Sequence, residues 1–311
     1  MITTVTMNAA IDKTYVTSQF QPNQLYRIQN MHACAGGKGI NVARVIRTLK
    51  EDVTASGIVA GYNGMFIQEQ LFQEGINHDF ISVDGESRIC LNVIDPLSGT
   101  QTELLEQGPV LNESTQEAMK TKISMLARRS SHVILSGSLP QGCHPTFYAN
   151  CIKLIQDAGA VPVLDASGDA LLAGVEAKPL LIKPNEHEVL RLTGGTTADE
   201  HSLIEAIARL MEQGVLNVVV SLGGQGAIAG LNHRIYRVTI PKVDVVNTVG
   251  CGDSMLAGIV VADKRGLPPI DQLRMGAACG TANALMPAAG LVRLEDIGSL
   301  MKQVEVTLIE G

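Results

Sequence analysis

The sequence has no tryptophan, few aromatic residues and no grouped cysteines. Aromatic residues make up 3% of the chain, and its six cysteines form no C-x-x-C pair and have no histidine-rich segment beside them. These absences argue against a zinc site and against a disulfide framework. The chain also lacks an apolar run of membrane-spanning length, and its first residues, MITTVTM, lack the basic start and apolar core of a signal peptide. We therefore predict a cytoplasmic protein with reduced cysteines.

An excess of positive charge is missing as well. The chain has 31 acidic and 24 basic residues, a formal net charge of −7, so we expect no sequence-wide attraction to nucleic acid or to an anionic membrane. Hydrophobic residues make up 45% and glycine occurs 31 times, which is typical of a glycine-punctuated globular enzyme. The length of 311 residues fits one large α/β domain, with or without a small appendage. Any phosphate-binding site must therefore be local.

Two common nucleotide-binding motifs are absent or incomplete. The chain has no G-x-x-x-x-G-K-[ST] segment, which excludes a P-loop kinase on motif grounds. Residues 224–229 (GQGAIA) nearly match the dinucleotide fingerprint, but the alternating pattern after them predicts a hairpin that turns at residues 232–233, where that fingerprint requires a helix. We therefore exclude an NAD site. The glycines are either the floor of a nucleotide pocket or simply part of the hairpin.

Strand and helix patterns alternate along most of the chain. This alternation predicts a parallel sheet covered by helices on both faces, with ligands beyond the carboxyl ends of the strands. The predicted strands are residues 2–7, 53–60, 81–83, 132–136, 161–165, 180–183 and 218–220. Polar motifs lie where this rule expects a site, at residues 136–140, 165–168, 183–188, 221–226 and 246–255.

A second, smaller sheet is expected from three other segments. Residues 25–31 alternate like an exposed strand, and residues 88–95 and 101–105 flank the turn sequence PLSG at residues 96–99. Together they predict a small sheet that projects from the main body, formed by about residues 13–35 and 88–107. Such a sheet could serve as a lid or as a dimer surface.

Residues 246–255 (VNTVGCGDSM) are the predicted chemical centre. Gly250 and Gly252 allow the amides of residues 250–253 to turn toward one point, and the helix predicted after them would strengthen anion binding there. Asp253 would repel a phosphate unless it takes a proton from an incoming hydroxyl. The alternative is that Asp253 only caps the helix. Cys251, beside this turn, is a candidate for a lowered pKa.

Two other polar segments each have two interpretations. Residues 36–41 (GGKGIN) form a glycine-rich turn before an amphipathic helix, with Lys38 either solvated or near a polar ligand that Asn41 also faces. Asn185 and Glu188 have the spacing of a capping box, in which each side chain bonds the other residue's backbone. The alternative is that they orient water around Mg²⁺.

Together these segments resemble the PfkB/ribokinase family of carbohydrate kinases over nearly the whole chain. Residues 36–43 (GGKGINVA) are similar to the first family signature and residues 249–254 (VGCGDS) to the second, in the family's order. Other segments resemble the branch that contains 1-phosphofructokinase and tagatose-6-phosphate kinase. These are residues 6–12 (TMNAAID), 103–109 (ELLEQGP), 136–140 (SGSLP) and 183–185 (KPN).

The resemblance implies a fold, a reaction and a set of site residues. The fold would be a three-layer αβα, ribokinase-like α/β domain over residues 1–311, with a small β-sheet lid often shared across a homodimer. The reaction would be ATP-dependent phosphorylation of a sugar phosphate, with Mg²⁺. Asp253 would be the base, and Gly250, Cys251 and Gly252 the anion hole. Sugar hydroxyls would be held by Asp12, Gly37, Lys38 and Asn41, and the sugar's phosphate by Arg27, Arg88 and Ser138. The nucleotide side would comprise Lys183, Asn185, Ser221, Gly223, Gly226, Thr248 and Asn283, with Glu188 near Mg²⁺.

Two positions depart from the family pattern. Asn247 stands where many relatives have Asp, which puts a charge-dependent role there in doubt, and Cys251 replaces the commoner Ala or Ser. The expected acceptor is fructose 1-phosphate or tagatose 6-phosphate, between which the sequence does not decide. The alternatives are a sugar- or nucleotide-sensing protein without turnover, or a kinase of an unphosphorylated sugar or nucleoside.

Overall fold

A computed structural model describes residues 1–195 and 197–310. Its strands form a ten-stranded sheet in the order β14-β13-β12-β11-β10-β9-β8-β1-β4-β5 and a separate four-stranded sheet in the order β3-β2-β6-β7. The strands are β1 (Ile2–Thr6), β2 (Ala10–Val16), β3 (Asn30–Gly36), β4 (Val53–Ala60), β5 (Asn77–Val83), β6 (Arg88–Asp95), β7 (Thr100–Leu105), β8 (His132–Ser136), β9 (Val161–Asp165), β10 (Leu181–Ile182), β11 (Asn217–Ser221), β12 (Ala227–Leu231), β13 (Arg234–Thr239) and β14 (Glu305–Glu310).

Helices follow most strands of the large sheet. They are α1 (Lys38–Thr48), α2 (Gly61–Gln73), α3 (Glu113–Ala127), α4 (Phe147–Asp157), α5 (Gly168–Glu176), α6 (Glu186–Thr193), α7 (Glu200–Glu212), α8 (Cys251–Lys264), α9 (Pro269–Ala284) and α10 (Leu294–Met301). The strands from β11 across to β5 run parallel, whereas β12, β13 and β14 continue the sheet in antiparallel fashion. The predicted α/β core with helices on both faces is therefore confirmed.

The two faces of the large sheet bury separate hydrophobic clusters. One cluster joins the sheet to α1, α2, α8, α9 and α10, and the other joins it to α3 through α7. Because successive side chains of a strand point to opposite faces, Ile134 of β8 belongs to the first cluster and its neighbours Val133 and Leu135 to the second. The strands are buried on both sides, which explains their nearly continuous apolar sequences.

The small sheet is separate from the large one, and we name it the lid. Strand β2 pairs antiparallel with β3 and parallel with β6, and β6 forms a hairpin with β7. The register places Cys34, Asp12, Cys90 and Leu105 in one row across the four strands. The predicted hairpin is therefore confirmed, with its second strand beginning at Thr100.

One predicted strand is wrong in position. Residues 25–31 alternate in polarity, but the strand begins only at Asn30 and continues to Gly36. The partner strand β2 ends at Val16, which pairs with Asn30. Residues 25–29 therefore have no strand opposite them, so the alternation in this segment does not correspond to a ladder.

None of the described helices combines the length and the apolar character needed to cross a bilayer.

Candidate active site

A cavity of about 240 Å³ lies between the lid and the carboxyl edge of the large sheet. The lid contributes Asp12 and Arg88 to its lining, the first turn of α1 contributes Lys38 and Asn41, and α8 contributes Asp253. Gly37 and Gly250 line it as well. Both glycine motifs of the sequence therefore meet in one space, which we name the lid cavity.

The N-terminus of α8 is built for close backbone approach. Gly250 is the N-cap and has a φ of 83°, and a Cβ there would lie 2.8 Å from the Cβ of Ala289, so a larger residue does not fit. The amide of Cys251 donates to the carbonyl of Thr248 at 3.4 Å. The first amides of a helix have no partner within it, so those of Gly252 and Asp253 are suited to an anion.

Asp253 is the third residue of α8 and does not cap it. The helix has no side-chain capping bond at Gly250, so the interpretation of Asp253 as an N-cap is wrong. Its carboxylate Oδ2 instead accepts a hydrogen bond of 2.9 Å from Nδ2 of Asn41. Burial raises the pKa of Asp253, which Lys38, Asn41 and Lys183 oppose and Asp165 reinforces. A buried carboxylate with a raised pKa is a suitable proton acceptor for a hydroxyl.

Arg44 holds Asn41 in this orientation and was missed at the sequence level. Its Nη1 donates to Oδ1 of Asn41 at 3.4 Å and to the carbonyl of Ala289 at 3.2 Å. Its Nε and Nη2 form a paired contact with the carboxylate of Glu74, at 2.8 and 3.1 Å. The signal was available, because Arg44 follows Asn41 by one helical turn on a face that is otherwise buried.

Asp12 is a second carboxyl group in the lid cavity. Burial and the nearby charge of Asp253 raise its pKa to about 6, while Arg44 and Arg88 act in the opposite direction. A Cβ on Gly36, which opposes Ala10 in the lid, would lie 2.2 Å from Cγ of Asp12. The glycine at the end of β3 therefore makes room for the carboxylate.

A network of ion pairs centred on the buried carboxylate of Asp165 lies beside the cavity. Nζ of Lys38 donates to Oδ1 of Asp165 at 2.9 Å, and Nζ of Lys183 lies 3.7 Å from Oδ2. The side chain of Asp165 is fully buried, and the lysines lower its pKa against the effect of burial. Asp165 ends β9 and belongs to a polar motif that the strand-end rule singled out, but we did not assign it to the site.

A second cavity of about 490 Å³ lies on the other side of the α8 N-terminus. Its lining includes residues that were predicted on the nucleotide side or in the anion hole. They are Ser221, Gly223, Gly226, Thr248, Cys251 and Gly252. Strand β12 follows the glycine turn and pairs antiparallel with β11, as the hairpin interpretation requires. We name this space the sheet-edge cavity; it shares the first turn of α8 with the lid cavity.

Asn283, predicted on the nucleotide side, is fully buried and does not line either cavity. Its Oδ1 accepts from the amide of Gly290 at 2.7 Å and from Oγ of Ser254 at 3.0 Å, and its Nδ2 donates to the carbonyl of Val249 at 2.9 Å. Asn283 therefore fixes the turn before α8 rather than contacting a nucleotide in this arrangement.

Cys251 does not have the lowered pKa that its position suggested. Burial raises the pKa of its thiol to about 11, although a hydrogen bond from Asn283 acts in the opposite direction. The amide of Cys251 is already engaged with Thr248. The interpretation that the pKa of Cys251 is lowered is therefore wrong.

The three predicted ligands of the sugar's phosphate lie in different places. Arg88 lines the lid cavity, and its Nε donates to the carbonyl of Asn8 at 3.1 Å. Ser138 lies in the loop after β8, where its hydroxyl accepts from Nδ2 of Asn8 at 3.3 Å. Arg27 is exposed in the segment before β3 and does not line the cavity. Arg88 and Ser138 thus both form a hydrogen bond with Asn8, whereas Arg27 lies away from the lid cavity.

Asn185 and Glu188 form the capping box of α6. Oδ1 of Asn185 accepts from the amide of Glu188, and Oε2 of Glu188 accepts from the amide of Asn185, each at 2.9 Å. One oxygen of Glu188 remains outside the box, and its charge acts on Lys38 in the site. Among residues 1–195 and 197–310, no cluster of three or more His, Cys, Asp or Glu side chains could enclose a metal. A Mg²⁺ ion held mainly by waters and nucleotide phosphates needs only one such carboxylate, so the residues fit it.

Comparisons with known proteins agree with this geometry. The model of the pfkB family carbohydrate kinases matches residues 5–294. A Staphylococcus aureus protein described as a candidate phosphofructokinase is 33% identical, with 100% of both chains covered and a TM-score of 0.84. Phosphofructokinase-2 from Escherichia coli is 28% identical over 97% of this chain and 98% of its own, with a TM-score of 0.91. A Thermotoga maritima protein described as a candidate 1-phosphofructokinase is 25% identical over 99% of each chain, with a TM-score of 0.91.

Proposed function

The chain belongs to the PfkB family of carbohydrate kinases, and from this premise we propose that it phosphorylates a ketohexose phosphate with ATP. The acceptor would be fructose 1-phosphate or tagatose 6-phosphate, and the product the 1,6-bisphosphate. One observation carries the proposal. The first turn of α8 separates two cavities, with Asp253 in the lid cavity and Gly252 in the sheet-edge cavity. Sugar and nucleotide would meet across that turn.

The chain's own residues supply the proton transfer and the charge stabilisation. Asp253 would take the proton of the sugar's acceptor hydroxyl, whose oxygen forms a bond to the γ-phosphorus of ATP as the bond to the ADP oxygen breaks. The amides of the α8 turn would stabilise the negative charge on the transferred group. Asn41 would keep the carboxylate of Asp253 aimed into the lid cavity. Asp12 and Lys38 would hold other sugar hydroxyls.

Mg²⁺ would be held by Glu188 through water and by the nucleotide phosphates, and when bound it would neutralise phosphate charge. The nucleotide would occupy the sheet-edge cavity beside Ser221, Gly223, Gly226 and Thr248. Lys183 and Asn185 do not line this cavity, but Nζ of Lys183 lies against Gly252 and Asn185 forms a β-bridge with Ser221, so both would be near the nucleotide. Arg88 would bind the phosphate already on the sugar, since its guanidinium is oriented by the carbonyl of Asn8. Ser138 would assist it, and Arg27 would join them if the exposed segment before β3 moved over the cavity.

We also propose that the lid forms a homodimer, in the cytoplasm. Strand alternation places Met31 and Leu104 on the lid face opposite Asp12, and these apolar side chains are 60% and 53% exposed. An exposed apolar face on a small sheet is suited to a second copy of the same sheet. Closure of the lid would also exclude water, which would otherwise compete with the sugar for the γ-phosphoryl group.

The test is a screen for ADP release from MgATP with fructose 1-phosphate, tagatose 6-phosphate and fructose 6-phosphate. The last is the sugar bound in a solved structure of the E. coli enzyme. Unphosphorylated fructose, tagatose and ribose serve as controls. We expect turnover with a sugar phosphate at a kcat/KM at least about 10²-fold above that with any control. Tight sugar binding without ADP release would favour a sensor, and turnover with an unphosphorylated sugar would reject the phosphate site.

A further inference from the structure

The carboxylate of Asp165 is the common partner of two lysines that approach the transfer point from opposite sides. Lys38 extends from α1, and its side chain is 37% exposed to the lid cavity. Lys183 follows β10, and its side chain is only 6% exposed. Its Nζ lies 3.0 Å from the place a Cβ on Gly252 would occupy, so its ammonium lies against the anion-binding turn of α8. The two positive charges therefore flank the turn that separates the cavities.

The two oxygens of Asp165 are used unequally. Oδ1 accepts a hydrogen bond of 2.9 Å from Lys38, whereas Oδ2 is buried, lies 3.7 Å from Lys183 and has no hydrogen-bond partner among the described residues. A buried carboxylate oxygen without a hydrogen bond is unfavourable for stability. Such an oxygen, on a carboxylate bonded to Lys38 of the lid cavity, is better explained by a role in the site than by a role in the core.

Asp253 lies within the field of the same lysines but is not paired with either of them. In the part of the chain that the structure describes, its side-chain hydrogen bond comes from Asn41, and no lysine or arginine nitrogen lies within the 4.0 Å of an ion pair. Buried ammonium groups require a counter-ion. Without the charge of Asp165, the next carboxylate in the surroundings of Lys38 is that of Asp253.

We propose that Asp165 is a positioning residue that holds the ammonium group of Lys38 away from Asp253. The base then stays free to take the proton of the sugar hydroxyl, while the positive charge of Lys38 remains beside the transferred phosphoryl group. This role rests on the proposed kinase function. Asp165 lines neither cavity and acts through Lys38.

The test is a double-mutant cycle between Asp165→Asn and Lys38→Met. Methionine has a side chain of similar length to that of lysine but no ammonium group. Asp165→Asn alone should lower kcat about 10²-fold and change KM for ATP and for the sugar phosphate less than about 5-fold, because a released lysine engages the base. In the Lys38→Met background, Asp165→Asn should lower kcat less than about 5-fold. Asp169→Asn is the matched control, since Asp169 forms an exposed pair with Arg191 on the following helix and should leave both parameters unchanged.

The double variant keeps the test decisive if Asp165→Asn alone folds poorly. It lacks both members of the closest ion pair and can be compared directly with Lys38→Met. Lys183 loses its partner at 3.7 Å in both variants that carry Asp165→Asn, so thermal unfolding is measured for each of them. A further 10²-fold loss in that comparison would overturn the proposal, because the cost of losing Asp165 would not depend on Lys38. Near-normal kcat in Asp165→Asn would overturn it as well. A wild-type protein that releases no ADP with any sugar phosphate would remove the proposed function and this inference together, whereas an active wild type with additive losses removes the inference alone.

Discussion

At the residue scale, Asp12 shows how a carboxyl group in the lid cavity lowers the stability of the fold that carries it. Its carboxyl group is half-buried, and burial and the nearby charge of Asp253 raise its pKa from 3.8 to about 6. Between these pH values the folded state binds a proton that the unfolded state has released, so stability falls as pH rises through this window. The cost is fully present above pH 6 and absent below the unfolded pKa.

The variant Asp12→Asn should therefore stabilise the protein at neutral pH while weakening sugar binding. A shift of about 2 pKa units corresponds to a few kcal/mol, and partial exposure reduces this to about 2 kcal/mol. Urea unfolding at pH 7.5 should show that gain, and unfolding at pH 4 should show little of it. Asp244→Asn, at an exposed position, is the control and should leave the free energy of unfolding unchanged at both pH values. An equal gain at both pH values would mean that the charge of Asp12 is not its cause.

The residues predicted from the sequence lie in local motifs, whereas those that were missed are identified only by contacts between distant parts of the chain. Asp253 and Lys38 stand in glycine-rich segments whose chemistry is local, so their motifs could be read directly. Arg44 and Asp165 act through partners distant in the chain: Arg44 donates to Ala289, and Asp165 accepts from Lys38. No pattern within one segment encodes such a contact, and only the fold brings these residues together.

At the element scale, helix α8 was predicted correctly from its glycine turn and apolar run, whereas β3 was predicted too early. Almost all of α8 is buried, so its apolar sequence reflects its environment. The exposed segment before β3 has no such constraint, and its alternation carries no information about pairing. Patterning therefore predicts the buried elements of this fold better than the lid that covers the site.

The two glycines that bound α8 provide a test of its N-terminal turn. Gly250 and Gly266 both have positive φ, but a Cβ on Gly250 would lie 2.8 Å from that of Ala289 whereas one on Gly266 would meet nothing within 4 Å. Gly266→Ala should cost about 1 kcal/mol of unfolding free energy and leave kcat unchanged. Gly250→Ala should cost more and lower kcat at least about 10²-fold, since it displaces the anion-binding amides. Steady-state kinetics and thermal unfolding would measure both. Equal kcat values for the two variants would argue against a catalytic role for the turn.

At the scale of the whole molecule, the lid depends on long-range pairing and on a surface that the single chain leaves open. Strand β2 pairs with β6, about 80 residues away, so neither the lid nor its position over the cavity could be derived from one segment of sequence. The large sheet was easier to predict, because repeated strand and helix units leave few alternative arrangements.

The proposed dimer gives a prediction at this scale. Leu104→Asp would place a charge on the exposed apolar face of the lid, opposite to the face that carries Asp12. Sedimentation velocity should show a dimer for the wild type and a monomer for this variant, because burying an unpaired carboxylate is unfavourable. Leu308→Asp, at an equally exposed leucine on strand β14 of the large sheet, should remain dimeric. A dimer that survives Leu104→Asp would place the interface elsewhere.

The central claim is that Asp253 accepts the proton of the sugar hydroxyl while the turn before it holds the transferred phosphoryl group. The most direct measurement is the single-turnover rate of Asp253→Asn with MgATP and the best sugar phosphate, together with its affinity for ATP. We expect the rate to fall at least about 10²-fold and the ATP affinity to change less than about 3-fold, because the nucleotide occupies the other cavity. A rate close to that of the wild type would contradict the account.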